Sequence, residues 1–250
     1  MDVRILDHRT PQERDRSFLP GTGKTWLLPF YDLFSRAVGV RALHERAAAL
    51  ASVEPGQTVA DVGCGTGNLT FAVLAAQPQA RLTGLDPDPD ALRKAARKAR
   101  RRGLELTLVR GFADRIPAED GSLDHVVSSL ALHHIDEEGR SGFAREAMRA
   151  LRPGGQVTIA DFSGPSSDAE DAGHSAHGHG RGGGHGRGGG HARPHLRLRR
   201  SRPAHVVDVA SGHGEGIVTL LTEAGFDDAR AVGEADMRFG RITFVRATRP

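Results

Sequence analysis

Three short stretches of this sequence carry residue types able to hold a nucleotide-like ligand or to move a proton. The first runs Asp61-Val62-Gly63-Cys64-Gly65-Thr66-Gly67-Asn68-Leu69 and follows the β-branched run Thr58 to Val62. Glycines there let the backbone approach a ligand closely, and a helix starting after Gly67 points free N–H groups at an anionic group. The second is Asp86, which follows Leu82-Thr83-Gly84-Leu85. An ionised carboxylate at that point accepts hydrogen bonds from two hydroxyls, although Asp86-Pro87 is also a turn-forming pair. The third is Ser128-Ser129-Leu130-Ala131-Leu132-His133-His134. An imidazole has the basicity of a general base near neutral pH, and His133 and His134 are the candidates; helix-start or packing histidines are the other reading.

Two nucleotide motifs are excluded by spacing. A dinucleotide fingerprint counted from Gly63 puts Asn68 at its sixth position, and counted from Gly65 it puts Thr70 there, where glycine is needed. Gly21-Thr22-Gly23-Lys24-Thr25 imitates the end of a phosphate-binding loop, but the first glycine would fall at Phe18. Cys64 has no evident histidine–acid pair and reads as a small residue in the turn, not a nucleophile.

The elements that must position these groups alternate. Strands are predicted at Thr58 to Val62, Arg81 to Leu85, Glu105 to Val109, His125 to Ser129 and Gln156 to Ala160, with helices starting near Gly67 and Asp88 and a third over Glu137 to Leu151. That third helix must stop at Arg152-Pro153-Gly154-Gly155. Such βαβ units build a parallel sheet that binds ligands at the carboxyl ends of its strands. A last helix around Ile217 to Ala224, stopped by Gly225, and strands near Ala229 to Val232 and Ile242 to Val245 complete it. Ahead of the core, Thr25 to Leu50 has the apolar spacing of amphipathic helices lying over the mouth of the site.

With those residues in order, Asp61-x-Gly63-x-Gly65-x-Gly67 resembles motif I of the class I S-adenosylmethionine-dependent methyltransferases. The resemblance covers roughly residues 25 to 162 and 205 to 247 and is nearest to small-molecule enzymes of the quinone-biosynthesis type. It implies an α/β, Rossmann-like fold: a seven-stranded, mostly parallel sheet with an antiparallel last strand. It also implies S-adenosyl-L-methionine as cofactor, with no metal required for methyl transfer, and a methyl acceptor that is a small-molecule O, N or C nucleophile. In that family the glycine turn packs under the methionine moiety, the leading acid orders its amino group and the acid ending the second strand takes the ribose hydroxyls. The matching positions are Gly63, Gly65, Thr66 and Gly67, then Asp61, then Asp86. Ser129 matches a donor-contacting position. Tyr31 matches a tyrosine often placed over the donor, with a buried core aromatic as the other reading.

Gly111-Phe112-Ala113-Asp114-Arg115-Ile116-Pro117 is similar to the adenine-binding motif but departs from it at Phe112, where the family often has Asp or Asn. A phenyl ring accepts no hydrogen bond from an amino group. Polar contacts are therefore expected from Ala113 and Asp114, the alternative being recognition by stacking.

The remaining features set bounds. At 250 residues one α/β domain is expected: an N-terminal helical cap over 1–50, a donor-binding core over 51–162, an insertion over 163–204 and a closing helix and hairpin over 205–250. The insertion is rich in Gly, His, Arg and Ser, repeats Gly-Arg-Gly-Gly-Gly-His at 180–185 and 186–191, and reads as disordered. Its His174, His177, His179, His185, His191 and His195 suit weak binding of nickel, zinc or copper, or simply solvation. A second function class follows, a non-catalytic module that binds S-adenosylmethionine or sequesters metal through this loop. Net charge is +3. Arg93, Lys94, Arg97, Lys98 and Arg101 read as the solvated face of one helix, so nucleic acid is not an expected partner. The first residues carry no apolar leader and no apolar run reaches a membrane-spanning length of about 18 residues, which gives a cytoplasmic expectation. Oligomeric state and acceptor identity have no signature in the sequence.

Overall fold

The computed structural model describes residues 2–16, 18, 39–162, 215–237 and 240–250. Eight strands form one sheet: β1 (Val3–Asp7), β2 (Thr58–Val62), β3 (Arg81–Asp86), β4 (Leu106–Arg110), β5 (Leu123–Ser129), β6 (Leu151–Phe162), β7 (Asp227–Met237) and β8 (Gly240–Thr248), in the order β1-β4-β3-β2-β5-β6-β8-β7. The six strands from β1 to β6 run parallel, while β8 lies antiparallel between β6 and β7. The helices are α1 (Val40–Ala51), α2 (Asn68–Ala76), α3 (Pro89–Arg101), α4 (Glu137–Ala150) and α5 (Glu215–Glu223).

Three helix ends have a plain local reason. Asp88 caps α3 by accepting hydrogen bonds from the Asp90 and Ala91 N–H groups at 2.8 and 3.3 Å, and Pro89 occupies the first turn, where its missing N–H costs nothing. Asp136 caps α4 through the Gly139 N–H at 2.8 Å. Gly225, with φ of 93°, turns the chain out of α5.

Two apolar layers sandwich the sheet. On one face Leu43 and Ala47 of α1, Leu69 and Phe71 of α2, and Leu92, Ala95, Ala96 and Ala99 of α3 pack against Leu106, Leu108 and Phe244. On the other, Phe143, Ala144 and Ala147 of α4 and Leu221 of α5 pack against Val126, Val157, Ile159 and Val245. Ala91, Leu92, Ala95, Ala96 and Ala99, which recur at helical spacing along α3, are all buried.

The sequence predicts seven strands; the sheet has one more. Residues 1–50 are not simply a helical cap, since Val3–Asp7 pairs in parallel with β4 from Val3↔Leu106 to Asp7↔Arg110. It escapes a local reading because its partner lies about a hundred residues away and because Asp2, Arg4 and Asp7 dress it in the charges that protect a sheet edge. The third predicted helix ends one residue early, at Ala150, because Leu151 already pairs with Leu123 of β5. The insertion 163–204, with its six histidines, and Tyr31 lie outside the described residues. No helix among the described residues is long and apolar enough to cross a membrane.

Phe143 is fully buried and Ile5 is 41% exposed, which separates the two substitutions energetically. In urea unfolding Phe143→Ala is expected to lose about 3–5 kcal/mol. Ile5→Lys on the open edge is expected to shift stability by less than about 0.5 kcal/mol.

Candidate functional site

Asp61, Asp86, Ser129 and Asp161 end or nearly end β2, β3, β5 and β6, four adjacent parallel strands, so the sheet delivers them to one edge. Chain direction reverses its march across the sheet between β2 and β5, the switch point where such sheets leave a crevice. The predicted glycine turn leaves β2 at that point and is bonded to the end of β3 through the Gly63 and Cys64 N–H groups. Gly63, Gly65 and Gly67 all have positive φ, at 74°, 50° and 84°. A side chain at Gly63 would collide with the Cβ of Ala131, and one at Gly67 would come within 2.8 Å of the Phe71 ring, whereas the space beside Gly65 is open. Gly65 is therefore the position at which the turn exposes bare backbone to a ligand.

Two carboxylates set the local charge. Asp86 accepts the Gly65 N–H through Oδ2 and the Asp88 N–H through Oδ1, both at 2.8 Å, so it ties the glycine turn to the end of β3. Each oxygen keeps a further lone pair, enough for two hydroxyls of a ribose. Asp61 is 1% exposed; its Oδ2 accepts the Thr70 hydroxyl at 2.6 Å, and its Oδ1 is buried without a hydrogen-bond partner. Burial pushes the Asp61 carboxyl up to about 7 and the Asp86 carboxyl up to about 6. The Ser129 hydroxyl is a second buried polar atom without a partner. Buried orphans are costly unless a ligand satisfies them. A ligand with an ammonium group and a ribose fits this set.

The other predicted residues fall as follows. Thr66 is buried, but its hydroxyl meets Lys98 Nζ at 3.0 Å and faces α3. Phe112 is buried under the Arg16 guanidinium, which lies 4.5 Å from its ring centroid. Asp114 pairs with Arg16 at 2.5 Å through Oδ2, leaving Oδ1 buried and without a partner; Ala113 beside it is half-buried. The Phe112–Asp114 loop adjoins the end of β3 through the Gly111 N–H bond to the Asp86 carbonyl at 3.3 Å. Cys64 is buried, and burial raises its thiol, consistent with a packing role.

His133 and His134 separate in role. His133 Nδ1 lies 2.7 Å from Asp161 Oδ1, and Asp161 also accepts the Leu132 N–H and Phe162 N–H, each at 2.7 Å. His134 packs on His133 at 4.0 Å between ring centroids, and burial lowers its basicity. Leu130, between Ser129 and these histidines, holds φ of 54°, a strained conformation for a bulky residue. Asp161 was missed in the sequence although it carried the same signal as Asp61 and Asp86, an acid at the carboxyl end of a strand. Among the described residues no cluster of three or more metal-ligating side chains forms.

Comparison with known proteins decides the family. Residues 59–155 match a family described as a methyltransferase domain. An uncharacterized methyltransferase of Synechocystis is 32% identical over 152 residues, 58% of this chain and 69% of that protein. The chain belongs to the class I S-adenosylmethionine-dependent methyltransferases. A demethylmenaquinone methyltransferase of Thermus thermophilus is likewise 32% identical, over 57% of this chain and 66% of that protein. So the chain spans about two thirds of the length of these curated relatives. The solved magnesium protoporphyrin IX methyltransferase of Synechocystis with bound SAH shares the fold, with TM-score 0.60 at 17% identity over 85% of this chain and 84% of that one. The cofactor of this methyltransferase is S-adenosylmethionine, and the eight-stranded sheet is the family's α/β fold with its antiparallel C-terminal edge.

An ammonium placed at Asp61 favours the ionised carboxylate, so binding in the pH range below its raised value releases a proton. Affinity for S-adenosylhomocysteine is then expected to climb by up to about tenfold per pH unit as the pH rises toward about 7 and to level off above it. Calorimetric titration across that range checks it, and Asp61→Asn should flatten the slope.

Proposed function

We propose that this methyltransferase transfers the methyl group to a small-molecule O, N or C nucleophile, with His133 as the general base and Asp161 as the group that orients it. The observation that carries the reading is the 2.7 Å contact between His133 Nδ1 and a buried Asp161 already anchored by two backbone N–H groups. A carboxylate held in that way fixes the imidazole with Nδ1–H donated to it, which leaves Nε2 to accept a proton. The His133 side chain is 30% exposed, open enough to meet an acceptor at the strand ends. That several relatives bear the name demethylmenaquinone methyltransferase supports a small organic acceptor.

S-adenosylmethionine supplies a methyl group on a sulfonium that is already a good leaving group. The protein's task is accordingly alignment, exclusion of water and removal of the acceptor's proton. In this reading Asp61 holds the donor's amino group, Gly63, Gly65, Thr66 and Gly67 cradle it with backbone, Asp86 holds the ribose, and Ser129 lends its hydroxyl. Ala113 and Asp114 border the adenine. His133 and Asp161, beyond the end of β5 and near the end of β6, border the same edge of the sheet as these residues.

A panel of phenols, quinols and amines assayed with S-adenosylmethionine tests the proposal. With the acceptor that turns over, His133→Ala is expected to lower kcat by about 10²–10⁴-fold while S-adenosylhomocysteine affinity holds within about threefold. An unchanged kcat would remove His133 from the chemistry.

A further inference from the structure

Helix α3 carries the longest basic stretch of the chain, and its Lys94 and Lys98 do not belong to the solvated face the sequence suggests. Arg93, Arg97 and Arg101 are exposed, whereas Lys98 is half-buried and turned toward the glycine turn. Its ammonium lies 3.1 Å from the Thr66 carbonyl oxygen, 3.0 Å from Thr66 Oγ1 and 3.2 Å from Asn68 Oδ1. An ammonium has three N–H donors and no acceptor, so this trio suits a lysine. All three acceptors sit on the two residues that flank Gly67, where the turn becomes α2.

The placement runs against the simplest electrostatics. The start of a helix carries positive partial charge, and a cation near it is unfavourable. Its presence is offset by what it holds. With the Thr66 carbonyl drawn toward α3, the planar trans peptide sends the Gly67 N–H the other way, where it donates to the Cys64 carbonyl at 2.8 Å and closes the turn. Asp86 grips the same turn from the opposite side, through the Gly65 N–H at 2.8 Å. Two side chains of opposite charge thus clamp the turn at two peptide units, Asp86 at the N–H of Cys64–Gly65 and Lys98 at the carbonyl of Thr66–Gly67, with the Gly65–Thr66 peptide between them. Because Thr66 is only 6% exposed, the charge-assisted bonds from Lys98 are largely shielded from water and correspondingly strong.

We propose that Lys98 is a positioning residue for the methyl donor: it acts from behind the glycine turn, without touching the donor, by fixing the Thr66–Gly67 peptide in the binding shape. The proposal rests on the turn being the donor site. Burial lowers the basicity of His44 of α1, and the nearby Lys98 ammonium adds a smaller push in the same direction, which places Lys98 where α1, α2 and α3 meet.

The test uses the full chain, with S-adenosylhomocysteine as probe and Asp86→Ala as reference. Lys98→Met keeps the length and removes the charge and donors; Lys98→Gln is the second variant should the first fail to fold. Calorimetric titration is paired with amide hydrogen exchange. The expected result is wild-type binding that Asp86→Ala abolishes, and a Kd about tenfold or more higher in the Lys98 variant. Faster exchange should be confined to the Gly65–Gly67 amides and the first turn of α2. Wild-type affinity in the variant would overturn the proposal, as would a loss accompanied by faster exchange throughout the sheet, which marks a merely structural lysine. Failure of the wild type itself to bind would overturn the donor reading and this proposal with it.

Discussion

The hydrogen bond from the Gly65 N–H to Asp86 Oδ2, at 2.8 Å, joins the end of β3 to the turn that leaves β2, and the arrangement of the site follows from it. A glycine turn with three left-handed residues has wide conformational freedom in the unfolded chain, and something must hold it in one shape. The two neighbouring strands do so by register: Val62, the last residue of β2, pairs with Leu85, which brings Gly63 level with Asp86, the last residue of β3. The Gly63 and Cys64 N–H groups both reach the Leu85 carbonyl, at 2.8 and 3.0 Å. The turn is in this sense an extension of the sheet. Asp86 is spared from complete saturation, since its oxygens each spend one lone pair on the backbone and keep another.

From this anchor the crevice is a consequence of parallel strands. β3, β2, β5 and β6 are adjacent and point the same way, so acids and hydroxyls at their ends converge although they come from residues 61 to 161 of the chain. The environments then divide the labour. Asp61 is dry and short of partners, and its raised proton affinity marks a group that gains by meeting a cation. Asp161 is just as buried but receives two backbone N–H groups and an imidazole, so it is suited to holding a neighbour in place. Strain at Leu130 sits between Ser129 and His133, where the chain must leave β5 and still bring Ala131 against Gly63.

Much of this was legible in the sequence because it is local. The glycine turn, the Asp88 cap, strands β2 to β5 and the helices that follow β2, β3 and β5 depend on residues within a few positions of each other, and their boundaries fall within one or two residues of where the periodicity puts them, whereas β6 begins at Leu151, five residues before the predicted Gln156. What was not legible depends on distant partners. β1 is a strand only because β4 offers it an edge. Lys98 resembled its exposed neighbours because helical spacing separates a buried stripe from its opposite but does not resolve the flank between them. Phe112 was expected to push adenine contacts onto Ala113 and Asp114; the structure adds that Arg16 already takes one oxygen of Asp114 and covers the Phe112 ring, a pairing across about a hundred residues that no motif encodes.

The central claim, that the carboxyl ends of β2 and β3 grip S-adenosylmethionine, is tested most directly by a crystal structure of the chain with S-adenosylhomocysteine. The account predicts the ligand's amino nitrogen within hydrogen-bond distance of Asp61 Oδ1 and its ribose hydroxyls on the Asp86 carboxylate, with the backbone of Gly65 against the homocysteine portion. A ligand seated away from the glycine turn, or one that leaves Asp86 uncontacted, would contradict it.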